Sequence, residues 1–265
     1  MELDPAAAAA GVRLITADSV GSTNTEALLQ ARAGVRGPVW LTASEQTAGR
    51  GRRGRPFVSA RGNLFATLLL TELPSTQRAA ELSFVAAVAL HDALVELAPS
   101  LAARLGFKWP NDVISDGAKL AGILVEGEST GPSQIAAVIG IGVNCTSHPA
   151  GMTYPATDLA TAGIAIAPER LFLVLSRTML FRLAEWDLGR GFGGIRAAWL
   201  VHATGLGEAI RVSLPERVVE GRFESLDASG RLLLRHHDGK LETITAADVF
   251  PLGAAAPSAA GQQAH

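Results

Sequence analysis

Lys119-Leu120-Ala121-Gly122-Ile123-Leu124-Val125-Glu126 is the stretch on which the fold turns. After its leading lysine it is almost unbroken apolar chain, which reads as a buried strand. The next such run, Gln134–Val143, ends Ile139-Gly140-Ile141-Gly142-Val143-Asn144, with glycines where another backbone or a ligand must come close. Upstream, Arg104–Trp109 reads as a third strand, and Ser115-Asp116-Gly117 is turn chemistry between two of them. Gln77–Leu97 carries Leu82, Val85, Ala86, Ala89 and Ala93 at helical spacing.

Farther out, Val12–Thr16, Val39–Ala43 and Asn63–Leu70 are expected as strands. Thr23 followed by Glu26 forms a capping box that opens a helix to about Ala33. Pro168 suits the first turn of an amphipathic helix reaching Trp186, and Gly193–His202 is a second, shorter helix. The texture then changes. Ala209–Leu214, Val218–Leu226, Arg231–His236 and Leu241–Thr245 alternate and are broken by Asp227-Ala228-Ser229-Gly230 and Asp238-Gly239, as in a small β-barrel. The sequence therefore predicts an α+β main domain over 12–205 and a β module over 206–252. Residues 1–11 are expected to be a flexible N-terminus and 253–265 a disordered tail.

Composition narrows the class. With 265 residues and 48% apolar content the chain can bury a sizeable core. A net charge of −2 argues against nucleic-acid binding driven by overall charge. Cys145 is the only cysteine, so no internal disulfide or cysteine-based zinc site is available, and it reads as a small buried apolar residue. The start Met1-Glu2-Leu3-Asp4-Pro5 puts acids where a signal peptide needs bases, and no segment suffices to span a bilayer. A cytoplasmic protein without a membrane partner is expected.

Four segments could carry chemistry. Gly49-Arg50-Gly51-Arg52-Arg53-Gly54-Arg55 joins flexible backbone to forked cations and holds no acid, so it reads as an anion cradle that orders when an anion arrives. A basic RNA-binding loop and a plain solvated loop are the other readings. Lys108-Trp109-Pro110-Asn111-Asp112 precedes Lys119, which is either a solvated strand end or, on a central strand, an ammonium in a cleft that needs an anion. Asn111-Asp112 either lines that cleft or forms a turn. Ser22-Thr23-Asn24 is a helix N-cap that can also hold a polar ligand. Hydrolase and Walker A signatures are missing, and the adjacent His236 and His237 on an alternating strand face opposite ways, so no metal site is assigned.

Taken in order, Ser22-Thr23-Asn24, Gln46, the Gly49–Arg55 loop, Lys108–Asp112, Lys119–Glu126 and Gly140–Asn144 resemble the biotin protein ligases from about Val12 to Asn144, and more weakly through the C-terminal module. The resemblance implies a mixed-sheet catalytic domain of the biotin/lipoate ligase type followed by a small SH3-like β-barrel. It implies ATP and biotin as substrates with Mg²⁺, formation of biotinyl-5'-AMP, and transfer to a lysine of a biotin carboxyl carrier protein domain. By the same resemblance Ser22, Thr23, Asn24, Gln46, Arg50, Gly51, Arg52 and Lys119 bind biotin. Arg52, Arg53, Phe57, Asn111, Lys119 and Asn144 bind ATP or the adenylate, and Lys119, Arg52 and Asp112 are catalytic. Phe57 stands where family members often have a tryptophan that packs on adenine. A first catalytic strand near residue 12 leaves no room for a repressor's winged helix, so no DNA is expected, while a homodimer is compatible with the pattern. Lipoate or octanoate ligation on the same fold is the nearest alternative, and a non-catalytic nucleic-acid module using the arginine loop is the alternative from another class.

Overall fold

The computed structural model describes residues 1–131, 134–151 and 154–252; the tail expected at 253–265 lies outside the described residues. The chain begins with α1 (Pro5–Ala9), β1 (Arg13–Val20), α2 (Thr23–Arg32), β2 (Val39–Gln46) and β3 (Leu64–Leu73). Then come α3 (Thr76–Leu97), β4 (Leu105–Lys108), β5 (Asp112–Ser115), β6 (Ala118–Gly131) and β7 (Gln134–Val143). Helices α4 (Pro168–Trp186) and α5 (Phe192–Val201) lead to β8 (Ala209–Ser213), β9 (Val218–Leu226), β10 (Leu232–Arg235), β11 (Leu241–Ile244) and β12 (Asp248–Pro251). Strands β1 to β7 form one sheet in the order β1-β2-β3-β7-β6-β5-β4, with β1 parallel to β2 and the rest antiparallel. Strands β8 to β12 form a second, antiparallel sheet in the order β11-β10-β9-β8-β12.

The pleat decides what each face of the large sheet does. On β7, Ala137, Ile139, Ile141 and Val143 join the main core with Leu82, Val85 and Leu90 of α3 and Leu171, Phe172 and Leu175 of α4. On the opposite face Ala136 and Val138 pack with Ala27 and Ala31 of α2, Val39 and Leu41 of β2 and Leu69 of β3. The same even-numbered face then continues as Gly140, against Asn24 in the first turn of α2, and Gly142. Glycines there leave a floor rather than a packed layer.

Three expectations change. Residues 1–11 are not a loose end. Pro5 starts a helical turn, Asp4 accepts from the Ala6 amide at 2.9 Å, and Ala7 is fully buried. Asp4 also accepts an ion pair from Arg177 of α4 at 3.2 Å, so an Asp-Pro cap docks this segment on the core. The capping box is not made either: Ser22 is the N-cap, without a side-chain capping bond, and the Thr23 hydroxyl is used elsewhere. Finally Asn111-Asp112 is more than a turn, because Asp112 opens β5, which pairs with both β4 and β6.

Candidate active site

The site lies on the glycine face of the large sheet, between the end of α2, the 49–57 loop and β5–β6. Its first part is a buried polar network. The Thr23 amide and hydroxyl both donate to Gln46 Oε1, at 2.8 and 3.0 Å, and Gln46 Nε2 donates to Ser59 Oγ at 2.9 Å. The Thr67 hydroxyl lies 2.7 Å from Thr23 Oγ1 and 2.8 Å from Asn24 Oδ1. Asn24 Nδ2 donates to the Leu124 carbonyl at 3.2 Å and to Glu126 Oε2 at 2.8 Å. That same carboxylate oxygen takes Arg50 Nη2 at 3.2 Å. Ser22, Thr23, Asn24 and Thr67 are all buried, so each bond carries the cost of leaving a polar group unpaired if it is broken. A Cβ on Gly140 would sit 2.3 Å from Asn24 Oδ1, which is why glycine occupies β7 there.

Phe57 closes the floor. A Cβ on Gly142 would meet its ring at 2.5 Å and one on Gly122 at 3.4 Å, and these two glycines are directly paired across β6 and β7. The ring meets Phe65 edge-on at 6.4 Å. The ring thus packs directly against bare backbone, which a side chain at position 142 would push away.

The second part is ionic. Between Val113 and Ile114 the β5–β6 register shifts, leaving Leu120 as an extra residue on β6. Its carbonyl accepts instead from the Asn144 amide at 3.0 Å. Such a bulge re-aims neighbouring side chains. Lys119 Nζ reaches Asp112 Oδ1 at 2.7 Å, with both groups largely shielded from solvent. The Lys119 backbone is held by Pro155 and Thr157, and Asn144 Nδ2 donates to the Thr157 carbonyl at 2.9 Å, so Asn144 braces the segment behind Lys119. Lys119 is therefore not a solvated strand end.

The arginine loop has an acid after all, from 193 residues away. Arg55 pairs with Asp248 at the start of β12, Arg53 lies 3.5 Å and Arg52 3.8 Å from the same carboxylate. Arg52 also donates to the Ala247 carbonyl at 3.3 Å and to Asn111 Oδ1 at 3.4 Å, while Asn111 Nδ2 donates to the Ile123 carbonyl. Gly51 donates to the Arg55 carbonyl at 2.7 Å, and Arg53 and Gly54 take positive φ, folding the loop into a tight turn. Burial lowers the Arg52 pKa, with Asp248 and then Asp112 opposing that shift. A desolvated guanidinium of this kind gains strongly from an incoming anion. The loop expected to wait for an external anion is instead held by an internal one.

Of the predicted residues, Ser22, Thr23, Asn24, Gln46 and Arg50 belong to the polar network or its margin, and Arg52, Arg53, Asn111, Asp112 and Lys119 meet at the ionic part. Asn144 stands behind Lys119, its amide nitrogen committed to Thr157. Ser59, Thr67 and Asp248 were missed, and Lys108 and Glu126 sat inside quoted motifs with no role. Parity along β6 could have found Glu126, which shares a face with Gly122 and Leu124. Thr67 and Asp248 carry no local signal. Burial pushes the Cys145 thiol up to about 12, in keeping with a small core residue rather than a nucleophile.

Residues 17–144 match the biotin/lipoate A/B protein ligase family and residues 205–250 the biotin protein ligase C terminal domain. A biotin–[acetyl-CoA-carboxylase] ligase of Paracoccus denitrificans is 45% identical over 235 residues, covering 86% of this chain and 96% of that protein. One from Mycobacterium tuberculosis is 35% identical, covering 88% and 86%. The solved biotin protein ligase from Aquifex aeolicus in complex with biotin and ATP shares the fold, with a TM-score of 0.73, 24% identity, and coverage of 90% of this chain and 97% of that one.

Proposed function

The chain belongs to the biotin protein ligase family, and from that premise we propose how its residues divide the two half-reactions. The protein is a ligase that uses ATP to attach biotin to protein. In the first half-reaction a biotin carboxylate oxygen bonds to the α-phosphorus of ATP and the bond to pyrophosphate breaks, giving biotinyl-5'-AMP. The polar network from Ser22 to Glu126, with Arg50 and Gly51 beside it, takes the biotin head group. Phe57, over Gly122 and Gly142, takes the adenine face, with Asn144 at the far side of that floor. Arg52, Arg53, Asn111 and Lys119 receive the carboxylate and phosphates.

The Lys119–Asp112 ion pair carries this reading. Two anions about 4 Å apart repel by about 4 kcal/mol at an effective dielectric near 20, and Lys119 with Arg52 offsets that repulsion where the new bond forms. When Lys119 turns from Asp112 to the substrate anions, the Asp112 carboxylate is left free. In the second half-reaction the carrier lysine attacks the biotinyl carbonyl, AMP leaves, and Asp112 takes the proton that the amine releases. Mg²⁺ brought by ATP would neutralise phosphate charge; without substrate Asp112 and Asp248 each face a protein cation, and among the described residues no three His, Cys, Asp or Glu gather to hold a metal. The acceptor is a biotin carboxyl carrier domain, as the relatives' acetyl-CoA-carboxylase names suggest, and the reaction belongs to the cytoplasm. Among the described residues no helix is long and apolar enough to cross a membrane.

The test mixes the protein with ATP, Mg²⁺ and either biotin or lipoate and follows pyrophosphate release and retained adenylate. Release with biotin alone is expected; preference for lipoate would overturn the assignment.

A further inference from the structure

Lys108 is the one lysine of this region with no role so far. It ends β4 directly opposite Asp112, in the β4–β5 register, yet its ammonium rests on aromatic rings rather than on a carboxylate. Nζ lies 3.4 Å from the centre of the Tyr154 ring and 5.0 Å from that of Phe250. Among the described residues no carboxylate lies within ion-pair distance of it. The two rings belong to different parts of the molecule. Tyr154 leads into the segment whose Pro155 and Thr157 hold the Lys119 backbone, and Phe250 sits on β12 two residues beyond Asp248, which holds the arginine loop. Next to Lys108, Trp109 Nε1 donates at 3.0 Å to the carbonyl of Gly230 in the turn between β9 and β10, so the end of β4 already touches the C-terminal module.

We propose that Lys108 is a positioning residue of the adenylation step, whose ammonium, gripped between Tyr154 and Phe250, locks the backbone support of Lys119 to the strand that carries Asp248. The inference rests on Lys119 as the activating cation. A cation over two aromatic faces is held by their quadrupoles without consuming a carboxylate. The site thus gains a rigid joint while Asp112 and Asp248 stay available to Lys119 and the arginines.

The charge is kept against its own interest. Burial pushes the Lys108 pKa down to about 8; Lys119 of β6 and Arg55 of the loop push the same way, and Asp112 of β5 and Asp248 of β12 oppose them. Tyr154, the other titratable group facing it, is raised by its own burial and by Asp112 and stays neutral through this range. For a lysine whose folded pKa is lowered, holding the proton costs stability in full below about pH 8, and this cost shrinks as pH rises past the folded value and is gone only above the ordinary lysine value of 10.5. An apolar side chain would serve a purely structural joint as well or better.

Lys108→Met is therefore expected to unfold at the same or a higher temperature at pH 7 and to bind biotin within about twofold of the parent protein. Its single-turnover adenylation should fall about thirtyfold, which at about 1.4 kcal/mol per tenfold corresponds to about 2 kcal/mol, the size of a desolvated cation–π contact. Lys108→Arg should recover most of the rate and should lack the fall in adenylation expected of the parent protein as pH rises past about 8. Tyr154→Leu should lower the rate less, and add nothing once Lys108→Met is present. Adenylation by Lys108→Met within threefold of the parent, strictly additive losses with Tyr154→Leu, or an alkaline fall retained in Lys108→Arg would each overturn the proposal. If the parent protein makes no adenylate from biotin, the ligase reading itself fails; if it does and Lys108→Met matches it, only the role of Lys108 fails.

Discussion

The two halves of the site keep their polar groups in different ways. Around Asn24, most bonds join neutral amides, hydroxyls and a backbone carbonyl among buried groups, and the network ends at one carboxylate, Glu126, which Asn24 shares with the half-exposed Arg50. Around Lys119 and the arginine loop, the contacts are ion pairs between side chains that are partly exposed. The first half is fixed in shape, because a satisfied buried network has one low-energy arrangement. The second half holds its cations with protein carboxylates that a stronger anion can replace. On the proposed assignment, recognition is stored as geometry and chemistry as exchangeable charge.

The sharpest way to break this contrast is at Lys119. Lys119→Gln keeps length and a donor but removes the charge, and single-turnover adenylation should fall by about a hundredfold or more, the scale of losing one charge-stabilising donor. Biotin affinity should change far less, and circular dichroism should be unaltered. Activity within about threefold of the parent protein would show that Lys119 carries none of this charge.

The network end should respond in the opposite pattern. Thr67→Val keeps shape and removes the hydroxyl that lies between Thr23 Oγ1 and Asn24 Oδ1, leaving a buried polar atom without its partner. Such losses cost about 1–3 kcal/mol, so we expect lower stability in urea and biotin binding about tenfold weaker, with the rate at saturating biotin little changed. Gly140→Ala should resemble it, since its Cβ would press on Asn24 Oδ1 at 2.3 Å and that amide has no free direction to move. A large fall in the saturated rate with unchanged biotin affinity would erase the distinction between the halves.

What the sequence shows of this site follows from how local each feature is. The long apolar runs of β6 and β7, the glycines at 140 and 142 and the cations of the loop are legible because each depends on spacing within a few residues. Even the pairing of Lys119 with Asp112 was open on its residues alone, since nothing local announces the bulge at Leu120 beside it. Thr23 misled for a related reason: its capping pattern is real in sequence, but a partner on β2 and another on β3 claim its hydroxyl. The N-terminal segment misled by composition, because small residues can be loose or tightly packed, and Ala7 is packed. Asp248 was invisible altogether; a loop with four arginines implies a counter-charge but not its address.

That counter-charge gives the smallest of the expected effects. Asp248 touches three arginines, but its partners are between about a fifth and three-fifths exposed, and exposed pairs are each worth about 0–1 kcal/mol. Asp248→Asn should therefore lower overall stability only slightly. Its effect should be local: without the carboxylate, Arg52, Arg53 and Arg55 repel one another, and the 49–55 loop should be cut more readily by trypsin in the ligand-free protein. Adding the adenylate supplies a new anion to the same guanidinium groups, so the variant's loop should become nearly as protected as the parent's. Salt separates this from a folding defect, because about 1 M salt shortens the screening length to about 3 Å and should bring the two ligand-free proteins together. Equal cleavage of parent and variant at low salt would mean that Asp248 does not hold the loop, and the arginines would then be ordered by their backbone turn alone.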